Sequence, residues 1–201
     1  MFVLVELKDK VCIAPSMFHL PVEEAITEVL NAKLANRILI NVGLCVTLFD
    51  IIKIHESFVL KGEGSSYTLV HFRFIVFRPF IGEVIVGKLK SCSVDGIYVS
   101  LGFFDGILIP RECLQEPSRF DETEQLWVWE YETEDGKHDL FMDKEEQIRF
   151  KVKEEIFTDT SPTAPSTSTA NLSAEDSPKK IPYLIKGTIA ESGLGLISWW
   201  K

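Results

Sequence analysis

The chain has 201 residues, 46% of them hydrophobic, and a formal net charge of −9. This length suits one domain or two small ones and is enough to build a core. The sequence lacks an apolar run of the roughly 20 residues that would span a bilayer. Charges also interrupt the N-terminal segment MFVLVELKDK too early for a secretory signal. We therefore expect a soluble, intracellular protein with no membrane contact.

The negative charge lies entirely in the second part of the chain. Residues 1–80 hold eight Lys or Arg and eight Asp or Glu, whereas residues 81–201 hold thirteen and twenty-two. A protein that binds nucleic acid non-specifically is normally basic. Composition therefore argues against a free DNA-binding protein, and it predicts weak rather than strong RNA affinity.

The side chains that usually carry catalysis or bind metals are scattered along the sequence. The four cysteines contain no CxxC pair, and the four histidines show no pairing with a Ser or Cys nucleophile motif. A phosphate-binding loop of the form GxxxxGKS or GxxxxGKT is also missing. For the carboxylates of Glu130–Asp143, a solvated acidic face is favoured over a metal or acid–base site. We expect no catalytic residues, no cofactor and no metal site.

The first eighty residues predict a strand, a helix and two long strands. Alternation in residues 2–7 indicates the first strand, and Pro21 suits the first turn of a helix. The helix carries an apolar stripe at helical spacing, formed by Ile26, Val29, Leu30, Leu34 and Ile38.

The two long strands, Val42–Phe58 and Tyr67–Phe80, are joined by the turn sequence KGEGSS and predict a hairpin. Both strands are apolar on both faces. The helix accounts for the cover of one face. The other face is covered either by a protein partner or by the core of the chain itself.

Residues 81–201 predict a second domain that is mainly β. Short strands are expected at Gly82–Lys90, Asp95–Gly102 and Gly106–Ile109, followed by a helical turn at Pro110–Leu114. A hairpin with its turn at Asp135-Gly136, a strand at Gln147–Phe157 and a final strand at Ile181–Glu191 complete the order. Five principal strands with a helical element after the third describe an OB fold.

The segment at about residues 158–180 is rich in Ser, Thr and Pro and almost without apolar residues. We expect it to be a disordered insert between the last two strands of the domain. Its Ser161-Pro162 and Ser177-Pro178 pairs fit the substrates of proline-directed kinases, and their phosphorylation is a hypothesis.

The stretch GEVIVGKLKSCSVDGIYVSLGFFDGILIP, Gly82 to Pro110, resembles the core of the S1-type RNA-binding domain. The shared features are Gly82, Val84, Gly87, Leu89, Gly96, Tyr98, Val99, Gly102, Asp105 and Gly106. The first half, which begins MFVLVELKDKVCIAPSMF, resembles the tip domain of the larger stalk subunit of archaeal and eukaryotic RNA polymerases. The extra LWVWEYETEDGKHDLFMD hairpin, the insert and the ending GLGLISWW look most like the RNA polymerase III version.

This resemblance implies an α+β, mainly β protein, with an N-terminal α+β tip domain (residues 1–80) followed by an S1-type OB barrel (residues 81–201). It also implies a non-catalytic nuclear subunit that pairs with a smaller helical stalk subunit. In the family the tip domain docks onto the polymerase core near the RNA exit. The barrel then lies within reach of initiation factors and of nascent single-stranded RNA.

The expected RNA-binding residues follow from the S1-type resemblance and from charge. Single-stranded bases stack on outward aromatics while cations hold phosphates. The candidates are Tyr98 and the cations Lys88, Lys90, Arg149, Lys151 and Lys153. The alternative is that these are ordinary exposed barrel residues. The sequence departs from the S1-type pattern at Asp95, where an aromatic is common, and at Ile109, where a histidine is common, so we expect weak binding.

Three other functions remain open at this point. A free S1-type RNA-binding factor in RNA processing or translation would be a stable monomer with useful RNA affinity. An enzyme that borrows an S1-type domain, such as a ribonuclease, would need a catalytic domain that this sequence lacks. The stalk subunit of another nuclear RNA polymerase would differ in the core subunits that it binds.

Overall fold

The structure is a computed structural model that describes residues 1–133, 136–160 and 181–200. The chain divides into two compact units, Met1–Pro79 and Phe80–Lys201. Strands dominate both units and the first contains a long helix, so the predicted α+β, mainly β fold class is confirmed. Asp135 of the predicted turn and residues 161–180 of the predicted insert, with both Ser-Pro pairs, lie outside the described residues. Within the described ranges, no helix has the length and apolar character to cross a membrane.

The first unit is an antiparallel four-stranded sheet with one helix packed on it. The strands are β1 (Phe2–Ile13), β2 (Ile38–Leu39), β3 (Gly43–Val59) and β4 (Ser66–Phe77), in the order β1-β4-β3-β2. Strand alternation sends one set of side chains toward the helix and the other to the opposite face. The helix side holds the core, in which Val70, Phe72, Phe74 and Val76 of β4 are fully buried.

The helix α1 (Val22–Leu34) begins where the sequence predicts. Pro21 is its N-cap residue, and Glu23 and Glu24 lie in its first turn, where the helix dipole favours negative charge. Its apolar side contacts β1 and β3, and Ile26 and Leu30 are fully buried there.

The helix ends earlier than the apolar stripe predicts. The assignment of Ile38 to this stripe is wrong, because α1 ends at Leu34 and Ile38 begins β2. Asn36 adopts a φ of 59°, in the left-handed region that a continuing helix cannot use. Its backbone N–H donates to the carbonyl of Cys45 at 2.9 Å, which commits the chain to pairing with β3.

β3 departs from simple alternation through a series of bulges. Its register with β4 shifts after Cys45, Leu48, Ile51 and Ile54. Each bulge adds a residue to one strand, and Leu48, Ile51 and Ile54, spaced by three, all pack against the core. A period of two therefore assigns the wrong face to several residues of this strand.

Asn31 of α1 supports the bulged strand from the helix side. Its Oδ1 accepts hydrogen bonds from the Leu48 backbone N–H at 2.8 Å and from the Thr47 hydroxyl at 3.3 Å. A bulge disrupts the local ladder and leaves a residue unpaired. The Asn31 side-chain oxygen supplies the acceptor for the Leu48 N–H, and this bond joins the helix to the sheet.

The second unit is built around a closed barrel. Its strands are β5 (Val84–Ser93), β6 (Gly96–Ser100), β7 (Ile107–Pro110), β8 (Ser118–Asp121), β9 (Leu126–Thr133), β10 (Gly136–Phe141), β11 (Gln147–Phe157), β12 (Tyr183–Thr188) and β13 (Gly195–Leu196). The larger sheet has the order β12-β7-β6-β5-β11-β13, and β12 also pairs with β11. The five strands β5, β6, β7, β11 and β12 thus close on themselves, as the OB fold requires.

The barrel interior is apolar. Ile97, Val99, Ile148 and Phe150 are fully buried, while Tyr98 is half-buried on the outside. Gly96 has a φ of 149°, and a Cβ there would lie 2.1 Å from the carbonyl oxygen of Ile109. Close approach of β6 to β7 therefore requires glycine at this position.

A second sheet extends the barrel unit. The sequence predicts a hairpin here, and β9 and β10 form it, but β8 also pairs with β9 to give the order β10-β9-β8. Trp127 of β9 is 6% exposed, and its indole Nε1–H donates to the carbonyl of Ser93 at 2.8 Å. This bond anchors the added sheet to the end of β5.

We predict that Asn31→Leu destabilises the first unit by about 1–3 kcal/mol, because the Leu48 N–H loses its acceptor in a partly buried place. Urea unfolding of the full chain measures the change. Glu28→Leu, at an exposed position of the same helix, is the control for the change in helix propensity and polarity. Equal unfolding free energies for Asn31→Leu and the wild type would contradict the role of this bond.

Candidate nucleic-acid interface

Three adjacent barrel strands bring four of the expected RNA-binding residues to one surface. In the ladder, Lys88 of β5 is opposite Ser100 of β6 and Gln147 of β11, and Tyr98 lies two residues before Ser100. Arg149 and Lys151 continue the same side of β11, because Ile148, Phe150 and Val152 between them point into the core. We call this surface, formed by Lys88, Tyr98, Arg149 and Lys151, the barrel row.

Tyr98 is positioned by the pairing of β6 with both neighbours. It lies opposite Ser91 of β5 and Leu108 of β7. The ring is half-buried, so one part of it remains open to solvent. An exposed aromatic between a small residue and an aliphatic residue is suited to stacking with a planar base.

Lys90 is held by a carboxylate. Its Nζ lies 2.7 Å from Asp105 Oδ2, and the Ser100 hydroxyl donates to the other carboxylate oxygen at 2.5 Å. Ser100 Oγ in turn accepts the Gly102 N–H at 3.0 Å. The hydrogen bonds from Lys90 and Ser100 lower the pKa of Asp105, so this carboxyl remains ionised and keeps its hold on the lysine.

Lys151 and Arg149 are engaged by the segment that follows β12. Lys151 Nζ lies 2.7 and 3.0 Å from the two carboxylate oxygens of Glu191. Arg149 donates a longer hydrogen bond, 3.4 Å, to the carbonyl of Gly193. Lys151 is thus paired with a carboxylate, whereas Arg149 has no carboxylate partner among the described residues.

Lys153 is separated from the barrel row by an irregularity in β11. The register between β11 and β12 shifts between Val152 and Glu154, so the alternation of the strand is interrupted at Lys153. Its Nζ lies 3.2 Å from the sulfur of the buried Cys113, in the turn Arg111–Cys113. The structure thus gives Lys153 a contact that the alternating pattern does not predict.

Lys88 is the member of this cation set without an ion pair or hydrogen bond in the described parts of the chain. It lines two adjoining grooves of about 400 and 440 Å³, which also share Ser100 and Gly102. Val86, 45% exposed, borders the first groove, and Glu145 borders the second. Single-stranded nucleic acid binds where cations contact its phosphates and side chains contact the faces of its bases, and an unpaired lysine beside exposed apolar surface offers both.

Asp105 and Glu191 are the residues of the candidate interface that the sequence reasoning missed. Asp105 is among the S1-type features, but nothing in the sequence pairs it with Lys90, fifteen residues away, or pairs Glu191 with Lys151. The acidic composition of residues 81–201 was the available signal, because it predicts that lysines here have carboxylate neighbours.

A different surface lies on the first unit, on the sheet face opposite α1. We call it the outer tip face, and its exposed apolar members include Phe2, Leu4, Phe49 and Phe58, each between 46% and 53% exposed. Arg73 lies between them, bound to both oxygens of Asp50 and with its guanidinium 5.4 Å from the Phe49 ring centroid. An apolar face with a few fixed charges is typical of a protein interface.

The described side chains do not include a metal-binding cluster. No group of three or more His, Cys, Asp or Glu among them is arranged to hold an ion.

Comparisons with known proteins cover both units. A family model described as "RNA polymerase III subunit Rpc25" matches residues 83–200. A second model, "SHS2 domain found in N terminus of Rpb7p/Rpc25p/MJ0397", matches residues 8–64.

Curated relatives align along the whole chain. The DNA-directed RNA polymerase III subunit RPC8 of Bos taurus is 57% identical over 201 residues, which cover 100% of this chain and 98% of that protein. The subunits of the same name from Schizosaccharomyces pombe and Saccharomyces cerevisiae are 42% and 38% identical, with 100% of both chains covered in each case. The chain therefore belongs to the RNA polymerase III subunit Rpc25 family, the polymerase III form of the larger stalk subunit.

Proposed function

We propose that this chain is a non-catalytic stalk subunit of DNA-directed RNA polymerase III that acts in the nucleus. It pairs with a smaller helical subunit, docks near the RNA exit of the core enzyme, and supports initiation and contact with nascent RNA. The observation that carries this proposal is the match of both units, over the full chain, to subunits named for RNA polymerase III.

The outer tip face supports a docking role for residues 1–80. Phe2 and Leu4 of β1 and Phe49 and Phe58 of β3 are large apolar side chains about half exposed on this face. Burial of such a face contributes roughly 25 cal/mol for each Å² of apolar area removed from water. A subunit of the polymerase that covers it gains this free energy, and the neutral charge of residues 1–80 imposes little electrostatic penalty.

The barrel row supports a weak RNA contact. Lys151 of the barrel row and the neighbouring Lys90 are neutralised by Glu191 and Asp105, which leaves Lys88, Arg149 and Tyr98 as the groups most open to RNA. Low intrinsic affinity is sufficient when the core enzyme delivers RNA at a high local concentration. Protein contacts therefore set the location of this subunit, and RNA contact follows from that location.

The free RNA-binding factor is the alternative function. It needs unpaired cations along the row, because phosphate contacts supply most of the affinity for nucleic acid. Lys90 and Lys151 are instead paired with Asp105 and Glu191, which argues against this function.

The assignment is tested by affinity purification of the tagged chain from nuclear extract, followed by mass spectrometry. We expect a small helical subunit together with the polymerase III core. Recovery of the core of another polymerase would instead assign the chain to the stalk of that enzyme. Recovery of the chain alone, or with RNA but without a polymerase, would contradict the stalk function.

We predict that Leu4→Asp greatly reduces recovery of the polymerase core, because it places a charge among the exposed apolar side chains of the outer tip face. Leu4 is 49% exposed, so the free chain loses little stability. Val94→Asp, at a residue that is 61% exposed in a turn of the barrel unit, adds the same charge outside the outer tip face and is the matched control. Thermal unfolding of each variant separates loss of docking from loss of folding. Unchanged recovery with Leu4→Asp would show that this face is not the docking surface.

We predict that Asp105→Asn raises the affinity for single-stranded RNA and that Lys88→Ala lowers it. The substituted amide keeps an acceptor for the Ser100 hydroxyl but no longer neutralises the charge of Lys90. The slope of log K against log salt should change by about 0.7 for each phosphate that the protein newly binds, or no longer binds, on a single strand. Fluorescence anisotropy with a labelled RNA at several salt concentrations measures both quantities.

Glu122→Gln is the control for the RNA experiment. It makes the same change in net charge at an exposed residue between β8 and β9 whose side chain has no lysine partner in the described structure. If it raises RNA affinity as much as Asp105→Asn, overall charge rather than release of Lys90 explains the effect. An unchanged slope with Lys88→Ala would remove Lys88 from the RNA site.

A further inference from the structure

A cluster of basic groups lies across three strands of the outer tip face. Lys8 of β1 and Lys53 of β3 are both directly opposite His71 of β4 in the strand register. Cross-strand partners share a face of the sheet. The ring of His55 packs on that of His71, with centroids 5.0 Å apart. The four side chains Lys8, Lys53, His55 and His71, which we call the His–Lys cluster, therefore form one site.

The two histidines contain buried nitrogens that lack a partner. Nε2 of His55 and Nε2 of His71 are both shielded from solvent, and neither makes a hydrogen bond. Buried polar atoms are normally paired in folded proteins, so two neighbouring exceptions need an explanation. A group of another molecule that hydrogen-bonds to both nitrogens at this place is such an explanation.

The charges that face the cluster favour an anion. On β1 these are Glu6, Lys8 and Lys10, on β3 Asp50 and Lys53, and on β4 Arg73. Asp50 is bound to Arg73, which also lies opposite Glu6, so both carboxylates are on the Arg73 side. Lys10 lies over the rings of Phe58 and Tyr67 at 4.9 Å. Neither Lys8 nor Lys53 has an ion pair among the described residues.

The protonation of His55 responds to the same surroundings. Burial, followed by the charges of Lys53, His71 and Lys8, lowers its pKa below the usual value, so the imidazole is neutral near pH 7. An anion beside it reverses this effect, because opposite charge favours the protonated form. Binding of an anion is therefore coupled to uptake of a proton.

We propose that the His–Lys cluster binds the carboxylate of an Asp or Glu side chain on the protein that covers the outer tip face. This inference rests on the proposed docking function. The apolar rim of Phe49 and Phe58 and the buried imidazole nitrogens fit a dry protein interface. A nucleic-acid backbone instead prefers exposed, hydrated cations. Lys8 and Lys53 supply the charge, and the two imidazoles supply N–H donors.

The test uses the assembled polymerase III holoenzyme and a water-soluble carbodiimide. This reagent joins a lysine amine to a carboxylate as an amide only when the two are in direct contact, and it takes up the water that is lost. Mass spectrometry should find Lys8 or Lys53 joined to an Asp or Glu of another subunit. Lys61, in the exposed turn between β3 and β4, is the control for random reaction.

The second readout is the pH dependence of assembly between this chain and a core enzyme that lacks it. For each proton taken up, affinity should rise by up to about tenfold per pH unit as the pH falls from about 8 to about 6. The double variant His55→Gln with His71→Gln should flatten this dependence, whereas His19→Gln, at an exposed loop residue, should not. Lys8→Ala with Lys53→Ala, which leaves both rings in place, should lower affinity at every pH.

The outcomes separate this inference from the function on which it rests. Assembly without crosslinks at Lys8 or Lys53, and with the same pH dependence in the glutamine variant, overturns the carboxylate site and leaves the stalk function intact. Photocrosslinking of His55 or His71 to RNA in the holoenzyme likewise overturns it, in favour of a nucleic-acid ligand. Failure of the wild-type chain to join the core overturns the stalk function itself.

Discussion

One helix cannot bury both faces of the sheet in the first unit, and this constraint leaves an apolar face exposed. β1 and β4 carry apolar residues on alternate sides, and α1 covers only the side of Val70, Phe72 and Phe74. The bulges of β3 turn Leu48, Ile51 and Ile54 to the same covered side. Asn31 accepts a hydrogen bond from the Leu48 backbone N–H there. Phe2, Leu4, Phe49 and Phe58 are left half exposed on the other face. A protein that covers this face removes its apolar surface from water, and this favours association.

The barrel unit shows a different case, in which two lysines of the candidate RNA interface are paired with carboxylates of the same chain. An S1-type barrel with unpaired lysines would bind RNA both at the polymerase and away from it. Here Asp105 and Glu191 occupy Lys90 and Lys151, at distances of 2.7 Å in both cases. Exposed ion pairs of this kind add little stability, so their main effect is to reduce the positive potential of the barrel row. Under the proposed stalk function, in which protein contacts set the position of the subunit, reduced RNA affinity would limit binding to RNAs away from the polymerase.

The sequence predicted what depends on local pattern and missed what depends on pairing at a distance. The start of α1 at Pro21 and the order of the barrel strands along the chain follow from periodicity and turn residues. Ile38 was misassigned, because helical spacing does not reveal the left-handed turn at Asn36. The bulges of β3 are hidden for the same reason. The contacts of Lys90, Lys151 and Lys153 join residues 15 to 40 positions apart, and no local signal specifies them.

The His–Lys cluster shows why such distant pairings carry functional information. His55 and His71 come from different strands, and only the register of β3 with β4 puts their rings in contact. Folding alone gives no reason to keep two unpaired imidazole nitrogens beside two lysines, since an aliphatic pair at these positions would avoid both the desolvation and the repulsion. A group of another protein that binds there would offset this cost. Under the proposed docking, the apolar rim supplies affinity, while the His–Lys cluster fixes the register of the partner, because a misplaced carboxylate would leave charges buried and unpaired on both sides.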